Sequence, residues 1–263
     1  PQDLLGQNTL NMAVTPGGDE LIVWSGTTVR ILARDMSSIS SFESPSGHRE
    51  IAASEQFVYA IGSGGAITSL THDGTEVASY EDPEKRIYCP TLAPGGLLFG
   101  VLEDDSDPDQ DEIIALDAQT LQPRHRFGLS LLNNACGMVV VDEELFVCDW
   151  GNDRLQVFSL AGEHRRSITG EWKKPVALCL VKDRLYLVEA ADDEKNGEGE
   201  LLYPLRGRRI FVLSLQGETL QVYTNPNEGH TFTGDLCYFD GKLLAPVTRD
   251  QSVFVGVVAM AGA

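Results

Sequence analysis

Short apolar runs separated by turns rich in Gly, Asp and Asn follow one another along the whole chain. The stretch CDWGNDRLQVFSLAG, residues 148–162, shows the unit in miniature. Asp149, Gly151, Asn152 and Asp153 tolerate left-handed or self-hydrogen-bonded backbone, and they lie between the apolar runs LFVC and LQVF, so the pattern predicts a β-hairpin. The same order of run, turn and run recurs at Leu21 (LIVWSGTTVRIL), Phe57, Leu98, Leu185 and Leu243. Each hairpin is preceded by another apolar run and a turn (GMVVV before VDEE, VALCL before VKDR), and a further turn leads to a fourth short run such as EVASY or TLQVY. A four-stranded unit, with strands A to D, repeating every ~40–45 residues is the signature of a β-propeller blade. Six units are counted, at about 7–47, 48–87, 88–132, 133–173, 174–229 and 230–263.

The last unit is short. After SVFVGVVAM no run remains to serve as strand D, and DLLG at residues 3–6 precedes the first strand A. The expectation is a single all-β domain over residues 1–263, a six-bladed propeller of four-stranded antiparallel blades. Residues 1–6 complete the last blade and cover its open edge.

ACGMVVVDEELFVCDWGNDRLQVFSLAGE resembles an NHL repeat through Gly137, Asp142, Asp149, Asn152, Arg154, Val157, Phe158 and Gly162, with Cys136 where proline is common. The fifth unit keeps Pro175, Glu189, Arg209 and Gly217; the others keep the strand rhythm but lose Asn-x-Arg. The resemblance implies a six-bladed NHL-type propeller in which Asp149 and Arg154 form an ion pair that braces the hairpin. Glu189 would do the same with Arg208 or Arg209.

Charge narrows the choice of partner. Some NHL propellers bind RNA on a basic face, but 39 acidic against 20 basic residues, a net charge of −19, argues against nucleic acid. No apolar run approaches the ~20 residues of a membrane span. Five cysteines (Cys89, Cys136, Cys148, Cys179, Cys237) without paired spacing read as free buried thiols and suggest an intracellular, reducing compartment.

Because strands alternate in direction, the B-to-C turns and the D-to-A crossings share one face of the disc. Two of those turns are expanded and acidic, residues 103–112 and 189–207, and together they hold 13 of the 39 acids. Loops carried by a rigid scaffold usually hold the binding function. The candidate binding residues on that face are His48, Arg49, Tyr88, Asn134, Trp150, Trp172, Lys174 and His230. The alternation of Asp105, Asp107, Asp109 and Asp111 is similar to the start of a calcium loop, although Leu116 stands where the closing Glu belongs.

Six-bladed propellers also host calcium-dependent lactonases and zinc-dependent lyases. Of the ligands a lactonase needs, only Asn134 and Asp235 have counterparts, and the Glu is missing; a lyase's ring of His is reduced to His48 and His230. The sequence therefore reads as a non-catalytic protein-binding or scaffolding propeller without a cofactor. Its acidic face would meet a macromolecular partner, a basic protein or the rest of a larger assembly. A calcium-dependent lactonase or esterase is the alternative.

Overall fold

The computed structural model describes residues 9–43, 50–62, 64–104, 106–190, 206–207, 209–225, 231–233, 236–249 and 252–258. Blade 1 comprises β1 (Thr9–Val14), β2 (Glu20–Ser25), β3 (Thr28–Ala33) and β4 (Ser38–Glu43). Blade 2 comprises β5 (Glu50–Ala53), β6 (Phe57–Ile61), β7 (Ile67–Thr71) and β8 (Glu76–Tyr80). Blade 3 is β9 (Arg86–Ala93), β10 (Leu97–Glu103), β11 (Glu112–Asp117) and β12 (Pro123–Phe127). Blade 4 is β13 (Ala135–Val141), β14 (Glu144–Asp149), β15 (Arg154–Ser159) and β16 (His164–Thr169). Blade 5 is β17 (Pro175–Val181), β18 (Arg184–Glu189), β20 (Arg209–Ser214) and β21 (Thr219–Thr224), with the two-residue β19 (Arg206–Gly207) between β18 and β20. Every blade is an antiparallel meander, so chain neighbours are sheet neighbours.

The repeat is visible in its irregularities. In all five blades the C and D strands slip register at one position: Ile31/Leu32, Ser69/Leu70, Ala115/Leu116, Val157/Phe158 and Val212/Leu213. The turn that follows strand C closes with a left-handed residue in each, namely Met36, Gly74, Leu121, Gly162 and Gly217. At Gly162 two demands meet. Its φ is +90°, and a Cβ there would stand 2.6 Å from the Phe127 ring of the preceding blade, so only glycine satisfies both the turn and the seam.

Burial explains why the B and C strands read as continuous apolar runs rather than alternating ones. Both faces of each sheet are covered by neighbouring blades, and β2, β10, β14 and β18 are buried along nearly their whole length. The D strands lie at the rim and alternate, as β4 and β21 do with every second residue exposed. The core is therefore a ring of separate apolar seams: Ile22 and Trp24 with Ile51 between blades 1 and 2, and Phe99 with Leu145 and Phe158 between blades 3 and 4. Trp172, Phe146 and Phe211 fill the seam between blades 4 and 5.

The structure has five complete four-stranded blades where the sequence count expects six. The remaining sheet contains β22 (Thr231–Thr233), β23 (Cys237–Phe239), β24 (Lys242–Arg249) and β25 (Ser252–Val258). Both β22 and β23 pair with the same edge of β24, through Phe232 opposite Val247 and Cys237 opposite Leu244, so they act as one interrupted inner strand. β25 pairs with the other edge of β24, and β19 of blade 5 attaches to β22. Among the described residues nothing pairs with the outer edge of β25. This sheet fills the gap between blades 5 and 1, with Phe239 and Leu244 against Met12, Leu21 and Val23. The expected completing segment, residues 1–6, lies outside the described residues.

Candidate functional site

The face of interest is built from carboxylates that reach across crossings to backbone amides. Asp149, at the end of β14, is fully buried and is followed by a single 3-10 turn, Trp150–Asn152. Its Oδ1 accepts from the Asn133 amide (2.8 Å) and from Asn152 Nδ2 (2.9 Å). Its Oδ2 accepts from Arg154 Nε (2.6 Å) and Gln156 Nε2 (3.3 Å). Arg154 Nη2 and Gln156 Nε2 also donate to the Leu131 carbonyl, at 3.0 and 3.1 Å. A buried charge is tolerable only when its lone pairs are occupied in this way. The ion pair that the resemblance implied for Asp149 and Arg154 is present, and it clamps the crossing 128–134 as well as its own hairpin.

Blade 5 repeats the device. Glu189 accepts from the Lys173 amide (3.2 Å) and is held by Arg209 through both Nε and Nη2, the latter at 2.7 Å. The partner is thus Arg209, whose guanidinium stacks 5.0 Å from the centre of the Phe211 ring. In blade 4, Asp153 accepts from the Lys174 amide (2.7 Å) and from Lys173 Nζ (3.2 Å). In the crossing to blade 3, Asp82 accepts from the amides of Glu84 and Lys85 and from Arg126. Burial would raise its pKa, but those donors together outweigh burial and hold the carboxyl below its ordinary value.

The acidic turn of blade 3 divides into two kinds of carboxylate. Asp104 accepts from the hydroxyl and the amide of Ser106, which keep its pKa low, and Asp107 caps the amide of Asp109 (3.1 Å). Asp109 is exposed and accepts from Asn133 Nδ2. Asp111 is fully buried. Its Oδ2 accepts from the Ala135 amide (2.8 Å), its Oδ1 has no hydrogen-bond partner, and burial pushes its pKa up to about 6.

The expected calcium ligands therefore separate. Asp107, Asp109 and Asp111 serve a local turn, the crossing and the next blade's amide respectively, and the described residues contain no group of three or more carboxylate, His or Cys side chains placed to hold a metal. Asp105 lies outside the described residues.

Of the binding candidates, Asn134, Trp150 and Lys174 come together. Asn134 (φ +48°) donates from Nδ2 to Asn133 Oδ1 (2.9 Å), and the Gly151 amide donates to the Asn133 carbonyl (2.9 Å). Lys174 Nζ lies 5.3 Å from the centre of the half-buried Trp150 ring. Tyr88 is half-buried in β9, opposite Val101. His48, Arg49 and His230 lie outside the described residues, as does Asp235. Trp172 is a correction: it is fully buried, its ring packs edge-on against Phe211 at 6.0 Å, and it belongs to the seam between blades 4 and 5 rather than to the surface.

Two features were not anticipated from the sequence. Gly128 to Leu131 form a tight turn closed by the Leu131 amide on the Gly128 carbonyl (2.9 Å), with Ser130 at φ +62°. Leu129 and Leu131 project from it into solvent, 49% and 39% exposed, while Leu132 is buried in the seam. The second feature is an apolar central cavity of about 540 Å³, lined by the inner strands of all six sheets through residues such as Met12, Ile51, Met138 and Leu178. None of the five cysteines is joined in a disulfide. Cys148, Cys179 and Cys237 are buried, as expected; Cys89 and Cys136 are only half-buried.

This geometry defines a β-propeller, and comparison with known proteins agrees. No protein-family profile and no curated protein sequence matches the chain. Among solved structures it is similar to BamB from Moraxella catarrhalis, at 17% identity and a TM-score of 0.56, over 94% of this chain and 82% of that one. It is similar to a streptogramin B lyase at 14% identity and a TM-score of 0.65, over 97% and 84% of the two chains. The WD40 propeller domain of Doa1 aligns at 12% identity and a TM-score of 0.64, over 93% and 77%. At these identities the likeness concerns the fold alone.

Proposed function

We propose that the chain is a non-catalytic protein-binding propeller of NHL type, with residues 1–6 completing a sixth blade, and that the face of the B-to-C turns meets a protein partner. The reading requires no cofactor. The observation that carries it is the division of labour among the acids. Asp82, Asp149, Asp153 and Glu189 are consumed in holding crossings rigid, whereas Asp107 and Asp109 stand exposed on the blade 3 turn with no ion pair among the described residues. A rigid face with an uncompensated acidic rim steers a basic partner and fixes its orientation. Hydrogen-exchange footprinting of the full chain with its captured partner tests this. Protection is expected at 104–111, 128–134 and 150–153; protection confined to the opposite turns at 16–18, 72–74 and 161–163 would refute it.

A further inference from the structure

We infer that the turn Gly128–Leu131 and the acidic turn of blade 3 form one docking strip for a peptide segment of a protein partner, a segment that carries two apolar side chains flanked by Lys or Arg. The inference rests on the reading of this face as the binding face and specifies what it binds.

Single exposed apolar side chains are ordinary on any protein surface. Here two of the six large apolar side chains that stand exposed among the described residues sit on one four-residue turn, whereas the other four lie on outer strands. The fold does not require them. Of the three leucines in GLSLL, Leu132 alone enters the seam between blades 3 and 4, and polar residues at 129 and 131 would satisfy the same turn. The backbone beneath them is held from both sides. The Leu131 carbonyl accepts from Arg154 and Gln156, the Asn133 amide is fixed by Asp149, and the Ala135 amide is fixed by Asp111. The two leucines are thus presented on a preorganised support, which lowers the ordering cost of binding.

Charge selects the occupant. The link between Asn133 and Asp109 places the acidic turn directly beside the leucine turn. The nearby cations are already engaged: Arg154 with Asp149, Arg126 with Asp82 and Glu112, and Lys85 with Glu112. An apolar pair bordered by Asp107 and Asp109 therefore complements apolar anchors with cationic flanks, and it repels the same anchors with acidic flanks.

The test uses the full chain and three labelled decapeptides, which contain two leucines flanked by lysines, the same with serines for the leucines, and the same with glutamates for the lysines. Fluorescence anisotropy at low and moderate salt reads the binding. The leucine–lysine peptide is expected to bind at least tenfold tighter than either control. L129S/L131S should erase the advantage over the serine peptide, with an unchanged melting temperature. D107N/D109N should weaken binding several-fold at low salt and flatten its salt dependence. Equal binding by wild type and L129S/L131S, equal binding of the glutamate peptide, or no binding at millimolar peptide would overturn the inference. A natural partner footprinted elsewhere on the same face would overturn this strip alone; one on the opposite face would overturn the functional reading as well.

Discussion

Asp111 shows how much a single carboxyl depends on its neighbours. It lies in the same run of acids as Asp107 and Asp109, but it is buried, with one oxygen unpartnered and a pKa raised to about 6. A carboxyl whose folded pKa lies above its unfolded value binds protons more tightly when folded. It therefore costs stability above about pH 6, and that cost disappears as pH falls from about 6 towards 4. Asp111→Asn keeps an acceptor for the Ala135 amide and removes the charge. Urea denaturation should find the variant at least as stable as wild type at pH 7, by on the order of 1–2 kcal/mol. The wild type should narrow the gap at pH 5 and close it towards pH 4; parallel pH profiles would count against this account. Trp172→Ala should behave differently, losing about 3–5 kcal/mol because a fully buried indole leaves a cavity between two blades. Its melting temperature should fall by roughly 10 °C or more.

At the scale of the element, the recurring turn after strand C is the most regular part of the chain, and glycine serves it in blades 2, 4 and 5. Gly162→Ala combines a left-handed backbone with a Cβ driven onto Phe127, so it should cost more than the ~1 kcal/mol of an ordinary left-handed glycine site. Gly95→Ala is the control. It shares the positive φ (+78°) but has open space around a Cβ, and thermal melts should show the smaller loss there. Most strands were legible from apolar runs and turn residues because those depend on local pattern. The pairing of β22 beside β23 on β24 was not, because DLCYF reads like a complete inner strand and the contact of Phe232 with Val247 joins residues well apart in the chain.

At the scale of the whole molecule, stability depends on how the ring is closed. The outer edge of β25 faces no strand among the described residues, and an uncovered edge is both a lost set of hydrogen bonds and an aggregation hazard. Removing residues 1–6 should lower the melting temperature by several degrees if they supply the covering strand; an unchanged melt would exclude them. Calcium should leave the melting temperature unchanged and elicit no lactone or ester turnover, since the acids of blade 3 serve turns and crossings rather than one centre. A calcium-induced rise would revive the hydrolase alternative.

The sequence by itself determined the repeat: four strands per unit, the unit spacing and the acidic turns. These follow from periodicity and turn chemistry, which act over a few residues, whereas the ion pair of Asp149 with Arg154 was implied by the resemblance to an NHL repeat. Only the tertiary structure decided which side chains reach the surface. Trp172 and Leu131 occupy similar crossings, yet one is buried and the other exposed. The difference depends on how adjacent blades meet, and that contact joins residues far apart in the chain. Likewise, tertiary structure alone separated the bracing carboxylates from the exposed ones, because it sets which backbone amide each acid can reach.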